Sequence, residues 1–177
     1  MKIYVVRHGR TDSNDKKIFN GRYDEDINKI GISQAEIARD KLENYNIDLI
    51  ISSPMKRTLH TAQIINAKNI DLILDEHFIE RDMGELTLKN VKDKDHDEYW
   101  KYNKSKYKGL ESISEVQNRV FEGLDNIKNK YIDKNILIVT HAAITRMIKV
   151  YCENIQIDEN ISKVESQENC EIKEYEL

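Results

Sequence analysis

The sequence predicts an α/β fold, a three-layer α/β/α sandwich with helices on both faces of a mostly parallel central sheet. Three observations predict it. Four short apolar runs are continuous instead of alternating, as in strands covered on both faces. The segments between them carry apolar residues at helical spacing. Strand and helix patterns alternate along the chain, the order that builds parallel sheets.

Taken in order, Ile3–Val6 is the first strand. Ala35, Ala38, Leu42 and Tyr45 form a helical stripe, and a second strand follows at Asp48–Ile51. Ser53-Pro54 offers a good N-cap and a proline at the first helical position for a helix carrying Met55, Leu59, Ala62 and Ile65. Asp71–Leu74 is the third strand. The strongest stripe, from Ile113 to Tyr131, opens with Ser112 and Glu115 spaced as a capping box. Ile136–Val139 is the fourth strand, and Ile144, Met147 and Tyr151 mark a last helix. Ile161–Glu165 and Cys170–Tyr175 are candidates for short terminal strands. The stretch from Leu86 to Gly109 differs: it is rich in Lys and Asp, with Tyr99, Trp100, Tyr102 and Tyr107 interleaved. It is expected to hold a short helix and to form a cap or lid over one edge. A solvated insertion anchored by its aromatics is an equal alternative.

Composition bounds the function. A length of 177 residues suits one domain, read here as residues 1–177 with the cap at about 86–109. A net charge of −4 argues against a nucleic-acid partner. The apolar runs are far too short to cross a bilayer, so no membrane partner is expected. The N-terminus enters a core strand without the apolar region and cleavage site of a signal peptide. Cys152 and Cys170 are too few for a disulfide framework, and a cytoplasmic location is the expectation. The oligomeric state stays open.

Three strands end in polar residues. The first runs into Arg7-His8-Gly9, the second into Ser52-Ser53-Pro54 with Arg57 one turn on, the last into Thr140-His141-Ala142. Ligands of open α/β sheets bind beyond the carboxyl ends of the strands, where helix N-termini point free N–H groups. If these strands are parallel, Arg7, His8, Arg57 and His141 converge, and two guanidinium groups, two imidazoles and helix N-termini describe a phosphate cradle.

The run from Arg7 to Asn14 resembles the signature of the histidine phosphatase superfamily, the phosphoglycerate-mutase-like proteins. The resemblance continues in order through Asp24–Gly31, Ser52–Arg57 with Thr61-Ala62, Glu80–Gly84, Glu111-Ser112 with Glu115-Val116 and Arg119, and Val139–His141 with Arg146. It implies a metal-independent phosphatase without a cofactor, acting on a small-molecule phosphate ester. His8 would attack phosphorus and become phosphohistidine. Arg7, Arg57 and His141 would hold the phosphoryl oxygens, with Asn14 and the Ala142 N–H adding contacts. Glu80 would protonate the leaving group and then deprotonate the attacking water, a switch that needs a raised carboxyl pKa. Glu85 lies nearby as the competing carboxylate. The sequence departs from the family pattern at Glu85-Leu86-Thr87-Leu88, at Gly109-Leu110-Glu111-Ser112 and at Ala142-Ala143, which bears on specificity and not on the catalytic groups.

A mutase-type phosphotransferase is the runner-up, favoured by Glu80-Arg81 and opposed by the short interval before the final histidine. A protein phosphatase is a further alternative, opposed by the cap. The cap carries Lys89, Lys92, Lys94, Lys101, Lys104, Lys106 and Lys108 against Asp93, Asp95, Asp97 and Glu98. That excess could steer a phosphorylated metabolite inward, although a solvated charged face is the plainer reading. His60, His77 and His96 are expected at the surface.

Overall fold

The computed structural model describes all residues except Lys94, Glu159 and Asn160, and the side chains of Asp93 and His96 are also outside it. The expectations for Lys94 and His96 therefore fall outside the described residues. Strands β1 (Lys2–Arg7), β2 (Leu49–Ser52), β3 (Leu72–Leu74), β4 (Ile136–Thr140) and β5 (Ile172–Glu176) form one sheet in the order β3-β2-β4-β1-β5. The first four are mutually parallel, and β5 pairs antiparallel with β1.

Alternate residues of the inner strands serve two different cores. Ile3, Val5, Leu49, Ile51, Ile136 and Ile138 pack on α5 (Ile113–Lys130) and α6 (Ala142–Cys152). Tyr4, Val6, Ile50, Leu137 and Val139 pack on α2 (Lys29–Leu42) and α3 (Lys56–Ile65). This two-sided burial is why the runs carry no polar alternation. The three-layer α/β/α arrangement is thus present, with β4 as the central strand between β2 and β1.

Local chemistry explains the helix starts, with one correction. The short helix α1 (Asp12–Lys16) opens on a Thr11–Asn14 capping box, and the Ser112–Glu115 capping box opens α5 as expected. Ser53 does not cap α3: the cap position is Met55, without a side-chain bond, because the Ser53 hydroxyl is committed to His141. At the C-terminus Ile172–Glu176 is a strand, whereas Ile161–Glu165 is not; that stretch turns beneath the lid, with Ile161 buried against the main core. The segment 86–109 contains a 3-10 turn at Val91–Asp93 and the one-turn helix α4 (His96–Tyr99). Met83, Leu86, Tyr99 and Leu110 give it a small core of its own.

Candidate active site

The parallel register brings the strand ends level. Arg7 of β1 pairs with Thr140 of β4, and the next residue, His8, donates its backbone N–H to Thr140 O at 2.9 Å. Gly9 then turns beneath α2, where an added Cβ would lie 2.5 Å from the Gly31 carbonyl oxygen. That close approach is the local reason for glycine directly after the histidine.

His8 is buried, and its Nδ1 lies 2.7 Å from Gly9 O. A carbonyl only accepts, so Nδ1 carries the proton and Nε2 is bare in the neutral ring. Burial, then Arg57 and Arg7, hold its pKa well below the usual histidine value. The result is a neutral imidazole whose only ring hydrogen bond among the described residues is through Nδ1, which leaves Nε2 unengaged.

Arg57 is also buried and is held by three bonds: Nη1 donates to Tyr23 O (3.0 Å), Nη2 to Gly21 O (2.8 Å) and Nε to His141 Nδ1 (3.2 Å). The arginine can only donate, so His141 Nδ1 is the unprotonated nitrogen. Its Nε2 therefore bears the proton and donates to Ser53 Oγ at 2.7 Å. Burial and Arg57 keep this ring neutral too. As His141 stands, neither nitrogen is presented to the cavity; the ring lies 5.3 Å from that of His8 and holds Arg57 from below.

Above these rings opens a cavity of about 490 Å³. Six of the seven residues expected at the site line it: Arg7, His8, Asn14, Arg57, Glu80 and Ala142. His141 lies beneath. Arg7 donates through Nη1 to Gln167 O at 2.9 Å, while its buried Nε has no partner among the described residues. Leaving a buried donor unmade costs roughly 1–3 kcal/mol, a penalty that a bound anion would offset. Ala142 and Ala143 are the first residues of α6 and both border the cavity, where free first-turn N–H groups favour negative charge.

Glu80 is carried by a braced loop. Arg119 donates through Nη1 to His77 O (2.8 Å) and Ile79 O (2.7 Å), while its Nε pairs with Glu111 at 2.8 Å. Thr140 Oγ1 donates to Phe78 O at 2.8 Å, tying the loop to β4. Glu85, by contrast, is exposed and accepts from Lys108 N at 3.1 Å, outside the cavity wall. His60 and His77 are partly exposed and paired with Asp26 and Asp75. Of the described lid lysines only Lys92 borders the cavity; Lys101 and Lys106 pair with Glu98 and Asp95.

Sequence reasoning missed the C-terminal return. Gln167, Glu168 and Asn169 run across the end of β1, and the latter two border the cavity. No motif spacing marks them, because their proximity depends on the antiparallel pairing of β5 with β1.

Fold and site together define an α/β protein with a buried neutral histidine set among arginines at the strand ends, an arrangement suited to phosphoryl transfer. The chain belongs to the histidine phosphatase superfamily (branch 1), whose sequence profile matches residues 3–177. It is 29% identical to phosphoserine phosphatase 1 of Hydrogenobacter thermophilus, over 89% of this chain and 78% of that one. It is 28% identical to phosphoglycerate mutase-like protein 4 of Arabidopsis thaliana, over 83% and 69% of the two chains. Among solved structures, phosphoserine phosphatase of Entamoeba histolytica in complex with 3-phosphoglyceric acid superposes with a TM-score of 0.84 at 22% identity, covering 98% of this chain and 89% of that one. Among the described residues, no helix is long and apolar enough to cross a membrane.

Proposed function

We propose that this chain is a phosphomonoesterase acting on a small phosphorylated metabolite, with 86–109 serving as the cap of a single domain. The observation that carries the reading is the tautomer of His8: Nδ1–H is held by Gly9 O, leaving the Nε2 lone pair at the base of the cavity between two arginines. In the first step Nε2 forms a bond to phosphorus as the ester P–O bond breaks, and Glu80 gives its proton to the departing alkoxide. In the second, Glu80 takes a proton from water, whose oxygen displaces His8 and releases phosphate. Arg7, Arg57, Asn14 and the Ala142 N–H hold the phosphoryl oxygens through both steps. His141 orients Arg57, and on substrate entry its Nε2–H exchanges Ser53 Oγ for a phosphoryl oxygen.

Arg81 supports a substrate with a second anionic group, such as a carboxylate. It borders the cavity and is buried, with Nε donating to Glu111 O, Nη1 to Tyr99 O, and a buried Nη2 without a partner among the described residues. Burial lowers its pKa to about 10, so it stays charged at neutral pH.

The test is to quench the enzyme in base during turnover and map the phosphate. Wild type should carry acid-labile phosphate on His8, and His8→Ala should show neither phosphoenzyme nor turnover while keeping its circular dichroism spectrum. Normal turnover by the alanine variant would refute the mechanism. Scoring a panel of phosphorylated metabolites for released phosphate and for isomerised product separates hydrolysis from mutase-type transfer.

A further inference from the structure

The side-chain amide of Asn14 has two orientations, and only one presents donors to a phosphate. Two groups set that choice. Thr11 N–H donates to Asn14 Oδ1 at 3.2 Å, and Asn169 Nδ2 lies 3.3 Å from the same oxygen. Both lone pairs of Oδ1 are thereby used, and Asn14 Nδ2 has no partner among the described residues while its side chain borders the cavity. The second hydrogen of Asn169 Nδ2 goes to the backbone carbonyl of His8 at 2.9 Å. A carbonyl cannot donate, so the amide of Asn169 has only one workable orientation as well. Its two N–H groups meet two acceptors, one on the proposed nucleophile and one on a proposed phosphate ligand.

The segment that bears Asn169 is itself anchored. Gln167 is buried and donates through Nε2 to Val5 O and Glu171 O, each at 2.8 Å. Its carbonyl receives Arg7 Nη1, and Cys170 N–H donates to Arg7 O at 2.9 Å. Asn169 thus stands between two fixed points on a return already docked against β1, independently of its own side chain.

We infer that Asn169 is a positioning residue of the phosphoryl-transfer site: it couples the His8 backbone to the Asn14 amide and turns the Asn14 NH₂ group towards the phosphoryl group. The inference rests on the reading of His8 as nucleophile. It makes the C-terminal return, some 160 residues from the signature segment, part of the phosphate cradle. Small misplacements of positioned groups cost up to roughly a hundredfold in rate, and loss of one amide clamp belongs well inside that bound.

The experiment is a double-mutant cycle in single-turnover phosphorylation by p-nitrophenyl phosphate, using Asn169→Ala, Asn14→Ala and the double variant. Asn169→Ala should slow phosphoenzyme formation about tenfold in the wild-type background and no more than about threefold in the Asn14→Ala background. Asn169→Asp keeps the shape but sets an acceptor against two acceptors, and should be at least as slow as Asn169→Ala. A residue that only docks the tail would give equal losses in both backgrounds, or losses that follow the unfolded fraction in thermal melts; either result overturns the inference, as does an unimpaired Asn169→Ala. Absence of phosphoenzyme in wild type would instead overturn the reading of His8, so the two failures are distinguishable.

Discussion

The strand-end cradle and the lid border the same cavity, yet they are built in opposite ways. In the cradle, Ser53, Arg57, Thr61, Thr140 and His141 are all 0% exposed, and each is bonded to a neighbouring element. The lid is a chain of short turns, held by backbone bonds to neighbouring loops, among them Phe19 N–H to Lys89 O, Val91 N–H to Lys17 O and Ile161 N–H to Trp100 O, and by a small cluster around Met83, Leu86, Tyr99 and Leu110. Trp100 anchors it, with the Arg146 guanidinium 4.3 Å and that of Arg81 5.7 Å from its ring centroid. The difference teaches a division of labour. On the proposed reading, groups that meet every phosphate sit at the strand ends, where parallel pairing sets their spacing, and groups that meet the rest of the substrate sit on a lid held by turns and loop contacts instead of by the sheet.

The largest effects test the cradle side of that comparison. Arg57→Ala should cost about a hundredfold to a thousandfold in single-turnover phosphorylation of His8 for every phosphate ester, because each presents the same oxygens. Glu80→Gln should instead discriminate by leaving group: roughly a hundredfold to ten-thousandfold for alkyl phosphates, and much less for p-nitrophenyl phosphate, whose phenolate departs without a proton. Equal losses on both esters would remove Glu80 as proton donor and turn attention to Glu168, the other carboxylate on the cavity wall.

An intermediate effect tests the lid. Trp100→Ala removes the cation–π stack, an interaction worth roughly 0.5–2 kcal/mol. It should raise KM for the best metabolite about tenfold and leave kcat for p-nitrophenyl phosphate within about twofold to threefold. A uniform fall in kcat on all substrates would show that the lid shapes the chemistry as well, and the proposed division would collapse.

The last prediction reads stability instead of rate, as a pH dependence. His8 and His141 are buried and neutral, with pKa values depressed below that of an unfolded histidine. A depressed pKa means that the unfolded chain binds protons first as pH falls. The stability is therefore present above about pH 6.5 and is lost progressively below it, by up to roughly 1.4 kcal/mol per pH unit for each ring. Urea midpoints measured between pH 7.5 and 5 should drop accordingly, with a shallower slope in His8→Ala. Identical slopes would contradict the burial argument for His8.

Much of this was legible along the chain because it is local. Continuous apolar runs report two-sided burial, and the Ser112–Glu115 spacing reports a helix start, since each depends on residues within a turn or a strand. The convergence of Arg7, His8, Arg57 and His141 follows from strand placement plus the rule that ligands sit at carboxyl ends, whereas Asn14, Glu80 and Ala142 rest on the family resemblance. Ser53 shows where local logic fails: serine before proline is a sound cap, but a buried histidine 88 residues away claims its hydroxyl. The choice of Glu80 over Glu85 rests along the chain on the Glu80-to-Gly84 spacing, and the structure adds that Glu80 borders the cavity while Glu85 is exposed and accepts from Lys108 N–H.

By itself the sequence determined the fold class, the order of the elements and the polar groups at the strand ends, because side-chain period and end chemistry are properties of short segments. Only the tertiary structure decided which nitrogen of His8 is bare, that both nitrogens of His141 are engaged, and that Asn169 stands behind Asn14. Those facts depend on which donor meets which acceptor across distant parts of the chain. Such pairings exist only once the sheet has closed, since a hydrogen bond is decided by position and direction in space and not by spacing along the backbone.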